Sequence, residues 1–191
     1  MAKTAAQVFG QESHAPAWAK QAAIVVGASL LVALCARITI PLPFTPVPLT
    51  LQNFGVVVVG LLLGSRRGFA ALALYLAEGA SGLPVFNPLG PGGIAQIIGP
   101  TGGFLMAYPF VAFVAGWIYE RTSRRFLPAA LAGTVAELVL FAGGLGWLYV
   151  LTHSLWVAVR LGFYWFVFAE VIKVAMAAGV ASRWYRKPVA S

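Results

Sequence analysis

Residues 38–53 read ITIPLPFTPVPLTLQN, with four prolines within the eight positions 41–48. Proline fixes φ at about −65° and has no backbone N–H, so this stretch cannot form a helix. It nevertheless lies between two strongly apolar runs, residues 17–36 before it and residues 51–63 after it. A stretch that interrupts apolar segments so completely, and that ends on two amide side chains, indicates a functional site in a membrane chain.

The composition of the chain is that of an integral membrane protein. Of its 191 residues, 60% are hydrophobic and only 9% are charged, and the mean hydropathy is +0.86. Soluble domains carry about 25% charged residues, so this chain could not cover a water-facing surface with polar groups. Its net charge of +8 comes from basic residues beside apolar segments. That pattern is typical of membrane topology, and it gives no support to nucleic-acid binding.

The apolar pattern predicts an all-α integral membrane protein with six transmembrane helices in one domain, residues 1–191. A span needs about 20 apolar residues. The predicted spans cover residues 17–36, 51–63, 69–82, 102–119, 127–151 and 160–182. Residues 1–16 lack a signal-peptide pattern and are expected to be a cytoplasmic lead-in, and residues 183–191 a basic cytoplasmic tail.

Basic residues set the predicted orientation of the chain. With six spans, four basic clusters fall on one side of the membrane, which is the cytoplasmic side by the positive-inside rule. The clusters are Lys3/Lys20, Arg66/Arg67, Arg121/Arg124/Arg125 and Arg183/Arg186/Lys187. We therefore expect a multi-pass protein of the plasma membrane, surrounded by the lipid bilayer, with both termini in the cytoplasm.

Two of the predicted spans are too short to cross a bilayer as straight helices. Residues 51–63 would give about 20 Å of helix against a hydrocarbon core of about 30 Å, and residues 69–82 are similar. Each adjoins an outer loop rich in helix breakers, residues 38–50 or 83–101. Non-helical backbone at membrane depth is tolerated only where protein buries it or where it lines a cavity. Both loops are therefore expected to dip inward and face one another around a pocket, the alternative being a stiff extracellular turn.

Polar side chains inside the apolar segments are the candidate ligand-binding groups. Glu170 and Lys173 are spaced i, i+3 near the middle of the sixth predicted span, so they share a helix face. Such a pair could bind a polar ring or a carboxylate, or it could be a helix-packing salt bridge. Gln52 and Asn53 offer donors and acceptors to an uncharged group such as a urea. Asn87 offers the same chemistry from the facing loop, unless it only forms an Asn-Pro turn.

Other polar and aromatic residues receive weaker assignments. Glu78 and Glu137 stand singly, with no partner in register, and are assigned to helix packing or to a water-lined face. Tyr75 and Phe86 lie near the outer loops and could stack on an apolar ligand. No cofactor and no metal site is expected, because Cys35 is the only cysteine and the two histidines and scattered acids form no recognisable ligand set.

The chain carries no sequence for nucleotide hydrolysis of the Walker type, because it contains no Gly-Lys dipeptide. A transporter built on it would take its energy from a partner or from a gradient. An intramembrane serine protease is a remote alternative, since GASL at residues 27–30 resembles the serine motif of rhomboid proteases and His153 could act as its base. Ser29 lies mid-span and His153 in an outer loop, whereas a catalytic pair must meet within hydrogen-bond distance.

Three ordered motifs make the chain similar to a known family. The chain resembles the BioY family in PFTPVPLTLQNFGVVVVGLLLGSRRG (43–68), LYLAEGASGLPVF (74–86) and IGPTGGFLMAY (98–108). Members are the substrate-binding S components of energy-coupling-factor (ECF) transporters for biotin. The resemblance implies six helices with cytoplasmic termini, and biotin bound near the outer face beneath the loop between the first two helices. It also implies a partner module of a transmembrane coupling subunit and two ATPase subunits, although some family members act without it.

The resemblance also assigns residues to the ligand. Thr50 and Gln52 fall in the family's Thr-Leu-Gln stretch, and Asn87 follows its Leu-Pro-Val-Phe stretch. The family's Asp-x-x-Lys on the sixth helix corresponds here to Glu170 and Lys173, so the carboxylate stands on a longer side chain.

The first helix of the family docks on the partner module through small residues spaced four apart. Ser29 and Ala33 have this spacing, which permits close backbone approach. The favoured function is thus capture of biotin from outside and its uptake as the S component of an ECF transporter. The alternative is a stand-alone carrier, gradient-driven or facilitative, for a small molecule.

Overall fold

Helices make up almost all of the regular structure in a computed structural model of the chain, which describes residues 16–185. In chain order, the elements are α1 (Ala17–Arg37), β1 (Thr39–Ile40), β2 (Leu49–Thr50), α2 (Gln52–Leu63), α3 (Ser65–Ala80), α4 (Gly93–Ile98), α5 (Gly102–Glu120), α6 (Phe126–Thr152), α7 (Leu155–Gly162) and α8 (Val167–Trp184). Nearly all of the predicted lead-in and most of the predicted tail lie outside the described residues.

Three of the described helices, α1, α5 and α6, are long and apolar enough to cross a membrane. They coincide, within one residue at each end, with the spans predicted at 17–36, 102–119 and 127–151. Helices α7 and α8 together make a fourth candidate span, bent by 50° at the break between them. Helix α2 is apolar but has only 12 residues. The fold is therefore that of an all-helical membrane protein with three or four candidate spans.

The third predicted span, residues 69–82, is wrong at its start. Helix α3 begins at Ser65, because Gly64 alone separates α2 from α3. Gly64 has φ of +82°, a conformation that glycine adopts without strain, and it turns the chain within one residue. The Glu120 carboxylate accepts hydrogen bonds of 2.9 Å from the backbone N–H and from the hydroxyl of Ser65. The two arginines that follow therefore stand in the first turn of α3 and not in a loop.

The sixth predicted span, residues 160–182, is not one helix. Helix α7 ends at Gly162 and α8 begins at Val167. Glycine is a weak helix former, which favours the end of α7 at Gly162. The four residues of the break are all aromatic. The ring of Phe163 packs against Phe141, and that of Trp165 packs against Phe44. Glu170 and Lys173 consequently lie in the first two turns of α8, just after the break.

Both loops that the sequence places on the outer side contain regular structure that it did not indicate. In the first loop, β1 and β2 pair antiparallel, with Thr39 opposite Thr50 and Ile40 opposite Leu49. We call residues 39–50 the proline hairpin, since the four prolines lie between its strands. The second loop contains the short helix α4. The two loops face one another, as predicted, because residues of both line a cavity of about 330 Å³, which we call the loop cavity.

Helix α2 is the central helix of the fold. It packs against α1, α3, α5 and α8, and every residue from 55 to 61 is buried. Lipid tails provide no hydrophobic drive between helices, so close contact depends on small residues at the crossing points. Gly60 is such a point, because a Cβ atom there would lie 2.5 Å from the carbonyl oxygen of Ala112 on α5. Other helices bury α2, so its length is not set by the thickness of the bilayer.

We expect the substitution Gly60→Ala to destabilise the protein by about 1–3 kcal/mol, because the added methyl group meets the α5 backbone, which cannot move aside alone. Gly146→Ala in α6 is the matched control, since nothing lies within 4 Å of a Cβ atom there. The measurement is the thermal unfolding midpoint in detergent. Equal midpoints for the two variants would contradict the close contact between α2 and α5.

Candidate functional site

Four buried polar side chains meet in the interior and join three helices. We call Asn53 on α2, Glu137 on α6, and Glu170 and Lys173 on α8 the polar cluster. The Asn53 Nδ2 group donates hydrogen bonds to Glu137 Oε1 at 2.5 Å and to Glu170 Oε2 at 2.7 Å. The Lys173 Nζ group donates to Glu170 Oε1 at 2.7 Å. None of the four residues is more than 8% exposed, so each polar contact is made away from solvent.

Glu170 is the best-satisfied member of the polar cluster. One of its carboxylate oxygens accepts from Lys173 and the other from Asn53. It also stands in the first turn of α8, where the helix dipole favours a negative charge. The predicted pairing of Glu170 with Lys173 is confirmed, and Asn53 is a third partner to this pair. Both oxygens of this carboxylate therefore have a donor within the protein.

Glu137 is not the isolated residue that the sequence analysis describes. It bonds to Asn53, which is 84 positions away in the chain. On α6 it shares a buried face with Gly133, Leu140 and Gly144, at spacings of four, three and seven residues. That stripe of small and apolar residues marks the face of α6 that packs inward. A glutamate within such a stripe was the available signal for a buried polar contact.

A small cavity, here called the inner cavity, lies between the proline hairpin and the polar cluster. Its volume is about 40 Å³, which is space for only a few water molecules. Glu170 and Lys173 form its polar wall together with Thr50. The other walls include Val47, Pro48, Phe104, Phe141 and Phe166. A ligand larger than water can enter this space only if the proline hairpin moves.

The loop cavity adjoins the proline hairpin as well, and Pro48 lines both cavities. Asn87 lines the loop cavity, and its side-chain oxygen accepts a hydrogen bond of 3.2 Å from the backbone N–H of Leu89. Asn87 therefore forms a local turn as well as facing the cavity. Gln96 of α4 also lines this cavity, is only 1% exposed, and accepts from the Gly92 N–H at 3.1 Å. The sequence analysis missed Gln96, because nothing in the loop predicted a helix there.

Gln52, Tyr75 and Phe86 form a separate buried group that lines neither of these two cavities. Gln52 Nε2 donates to the Tyr75 hydroxyl at 2.6 Å, and that hydroxyl donates to the carbonyl oxygen of Val85 at 3.0 Å. The rings of Tyr75 and Phe86 meet edge to face, with centroids 5.4 Å apart. These contacts fasten the second loop to α2 and α3. Among residues 16–185, no hydrogen bond joins these three side chains to Glu170 or Lys173.

The tip of the proline hairpin is held down by contacts with the end of α7 and the aromatic break. The Thr45 hydroxyl donates to the carbonyl oxygen of Leu161 at 2.7 Å. The ring of Phe44 lies against that of Trp165, with centroids 4.1 Å apart. The hairpin therefore covers the inner cavity. Its tip is held by this hydrogen bond and ring contact and by Val47, which is buried in a hydrophobic cluster with Leu148 and Phe166.

The predicted docking pair on α1, Ser29 and Ala33, does not form an exposed patch. Ser29 is fully buried and its hydroxyl donates to a carboxylate oxygen of Glu78, which also gives Glu78 the polar partner that the sequence analysis did not find. Ala33 is half-buried. The reason is that this face of α1 packs against α2 and α3. The small residues that α1 does expose all lie nearer its start, and they are Ala17, Ala22, Ala23 and Gly27.

Proteins named as biotin transporters are similar to this chain over most of their length. Biotin transporter BioY2 of Lactococcus lactis subsp. cremoris is 36% identical, over 80% of this chain and 82% of its own. The probable biotin transporter BioY of Pyrococcus horikoshii is 36% identical, over 86% and 96% of the two chains. Biotin transporter BioY of Rhizobium etli is 38% identical, over 79% and 84%.

The fold is also that of a solved structure, the S component for biotin from an ECF-type ABC transporter. The TM-score is 0.81 over 98% of this chain and 96% of that chain, at 24% sequence identity, so this match concerns the fold alone. The sequence model of the BioY family matches residues 4–188. With nearly the whole chain matched, and with relatives more than 30% identical over most of their length, the chain belongs to the BioY family.

Proposed function

We propose that the chain binds biotin from the outer side of the plasma membrane and mediates its uptake as the S component of an ECF transporter. The observation that carries this proposal is the buried Glu170–Lys173 pair, which lines a cavity directly beneath the proline hairpin. An ion pair buried in a membrane protein without a ligand costs free energy, and ionisable groups at such positions mark binding sites. The names of the relatives supply the identity of the ligand.

The residues around the inner cavity suit the two ends of biotin. The Lys173 ammonium is the cation that can bind the carboxylate of the ligand, and Thr50 offers hydrogen bonds to polar ring atoms. Phe104 and Phe141 supply an apolar wall for the hydrocarbon chain. Because the inner cavity is far smaller than biotin, the proline hairpin must lift from it when biotin enters. Asn87, on the loop cavity, would meet the ligand on its way in.

The energy for uptake would come from a transmembrane coupling subunit and two ATPase subunits. The chain itself has no Walker motif. Helix α1 exposes Leu30, Leu31 and Leu34 together with the small residues Ala23 and Gly27, a surface that permits close approach by another transmembrane helix. Uptake of labelled biotin by cells with and without a co-expressed ATPase module tests this assignment. Equal uptake in the two strains would instead identify a stand-alone carrier.

The first binding prediction concerns Lys173. We expect Lys173→Ala to weaken biotin binding by at least about 100-fold, since removing one member of a buried ion pair strands the other at a cost of about 3–5 kcal/mol. Isothermal titration of purified protein measures the effect. The matched control is Lys20→Ala, because Lys20 is an exposed lysine in the first two turns of α1. Monodispersity in detergent separates loss of binding from loss of folding. Binding within about threefold of the original chain would remove Lys173 from the site.

The second prediction concerns the tip of the proline hairpin. Thr45→Val keeps the shape of the side chain and removes the hydrogen bond that the hydroxyl donates to Leu161 and the one that it accepts from the Val47 N–H, so biotin release should become faster. Thr134→Val is the control, because the Thr134 hydroxyl bonds only within its own helix, to Ala130. Hydrogen exchange at Phe44, Thr45 and Val47 should slow when biotin is added, because bound biotin orders the tip. Unchanged exchange at saturating biotin would show that the hairpin is a passive turn.

The third prediction tests the orientation of the chain. Ser81 and Ser123 are both exposed, and six spans place Ser81 outside and Ser123 in the cytoplasm. A cysteine at Ser81 should react with a membrane-impermeant maleimide in intact cells, and a cysteine at Ser123 only after the cells are opened. The original chain gives the background, since its Cys35 is buried. Labelling of both positions in intact cells would refute the six-span topology.

A further inference from the structure

The polar cluster leaves two buried oxygen atoms without a donor among residues 16–185. These are Glu137 Oε2 and Asn53 Oδ1. The same two groups share a short contact through their other atoms, Asn53 Nδ2 donating to Glu137 Oε1 at 2.5 Å. An ionised carboxylate and an amide carbonyl are both acceptors, so neither can satisfy the other. A proton on Glu137 would turn one of the two orphaned acceptors into a donor.

Within the described part of the chain, the surroundings of Glu137 contain no cation that is not already engaged. From α8, Glu170 and Lys173 face it, and Lys173 is bonded to Glu170. From α5, Tyr108 is near enough to interact electrostatically with both glutamates, and a tyrosine is neutral at ordinary pH. Helix α2 contains no titratable residue, and on α7 the only charged residue, Arg160, is exposed. With both glutamates ionised, the polar cluster would carry two negative charges against one positive charge.

A cavity of about 390 Å³ between α6 and α8 makes a second negative charge still more costly. Glu137 and Glu170 line it, and the rest of its wall is apolar apart from one threonine. Leu138 and Val171 form part of this wall and are largely exposed on the outer surface of the bundle, where lipid lies in a membrane. Charges in such surroundings interact strongly and are poorly solvated. Glu137 thus has a single neutral donor, Asn53, to support a charge, whereas Glu170 has both Asn53 and the Lys173 ammonium.

We infer that Glu137 holds a proton in the folded protein at neutral pH and that this proton is coupled to the binding of an anionic ligand. The second part rests on the proposed function. A ligand carboxylate that reaches Lys173 adds a negative charge beside Glu170. If Glu137 were ionised as well, three negative charges would face one ammonium group. The ligand-bound form therefore keeps the proton, and the free form loses it more easily as the pH rises. Affinity for the ligand must then fall with rising pH.

The proton itself can be detected without any ligand. Infrared spectra of the purified full-length chain at neutral pH should show the C=O band of a protonated carboxylic acid. We expect this band to be absent from Glu137→Gln and present in Glu78→Gln, the control for another glutamate in an apolar segment with a polar partner. Glutamine is a neutral mimic of the protonated acid, so Glu137→Gln should fold. Glu137→Asp, in which the band should shift and not vanish, provides a second variant. Absence of the band from the original chain, or its survival in Glu137→Gln, would overturn the inference.

The coupling is tested by isothermal titration with biotin between about pH 6 and pH 9, a range in which free carboxylic acids are already ionised. The Kd of the original chain should rise by up to about tenfold per pH unit once Glu137 in the free protein loses its proton. The Kd of Glu137→Gln should stay constant. A Kd of the original chain that does not change with pH would overturn the coupling even if the infrared band is present. If no form of the chain binds biotin, the proposed function fails, and the infrared band decides the protonation of Glu137 by itself.

Discussion

The amide group of Asn53, which donates to two glutamates from two other helices, is the contact on which the centre of the molecule depends. Polar groups in an interior surrounded by lipid cannot form hydrogen bonds with bulk water, so each needs a hydrogen-bond partner within the protein. Asn53 stands at the start of α2 and connects it to α6 and α8 in one step. Removing Asn53 would take one hydrogen-bond donor from each of the two carboxylates, and such a loss is most costly in a buried interior.

The position of α2 among other helices explains why it can be short. A helix of 12 residues could not cross a bilayer alone, but α2 does not face the bilayer, because four other helices enclose it. Its length is set by what lies at its two ends. The polar cluster and the proline hairpin lie at its start, and the tight turn at Gly64 lies at its end. Gly60 allows α5 to approach so closely that the short helix is still packed along its length.

Properties that depend on the bilayer or on helix periodicity could be predicted from the sequence. The bounds of α1, α5 and α6 follow from apolar runs of membrane length, and the Glu170–Lys173 pair follows from its i, i+3 spacing. Contacts made by the tertiary fold could not be predicted in this way. The partners of Glu137 and Ser29 lie 84 and 49 positions away in the chain, and no local pattern connects them. The aromatic break before α8 also depends on rings that pack against distant parts of the fold.

The proline hairpin joins the two parts of the candidate site, because only Leu51 separates its second strand from α2. The base of the hairpin is held by strand pairing and by the hydrogen bond from the Leu51 N–H to the carbonyl oxygen of Ile38. Its tip is held by the hydrogen bond from Thr45, by the contact between the Phe44 and Trp165 rings, and by the packing of Val47. Motion of the hairpin should therefore occur at the tip, about a fixed base, and leave Asn53 in place. Since prolines restrict the tip in its free state as well, ordering it over a ligand costs less conformational entropy than it would for an ordinary loop. The stretch that breaks the helix thus supplies a cover whose movement does not disturb the polar cluster beneath it.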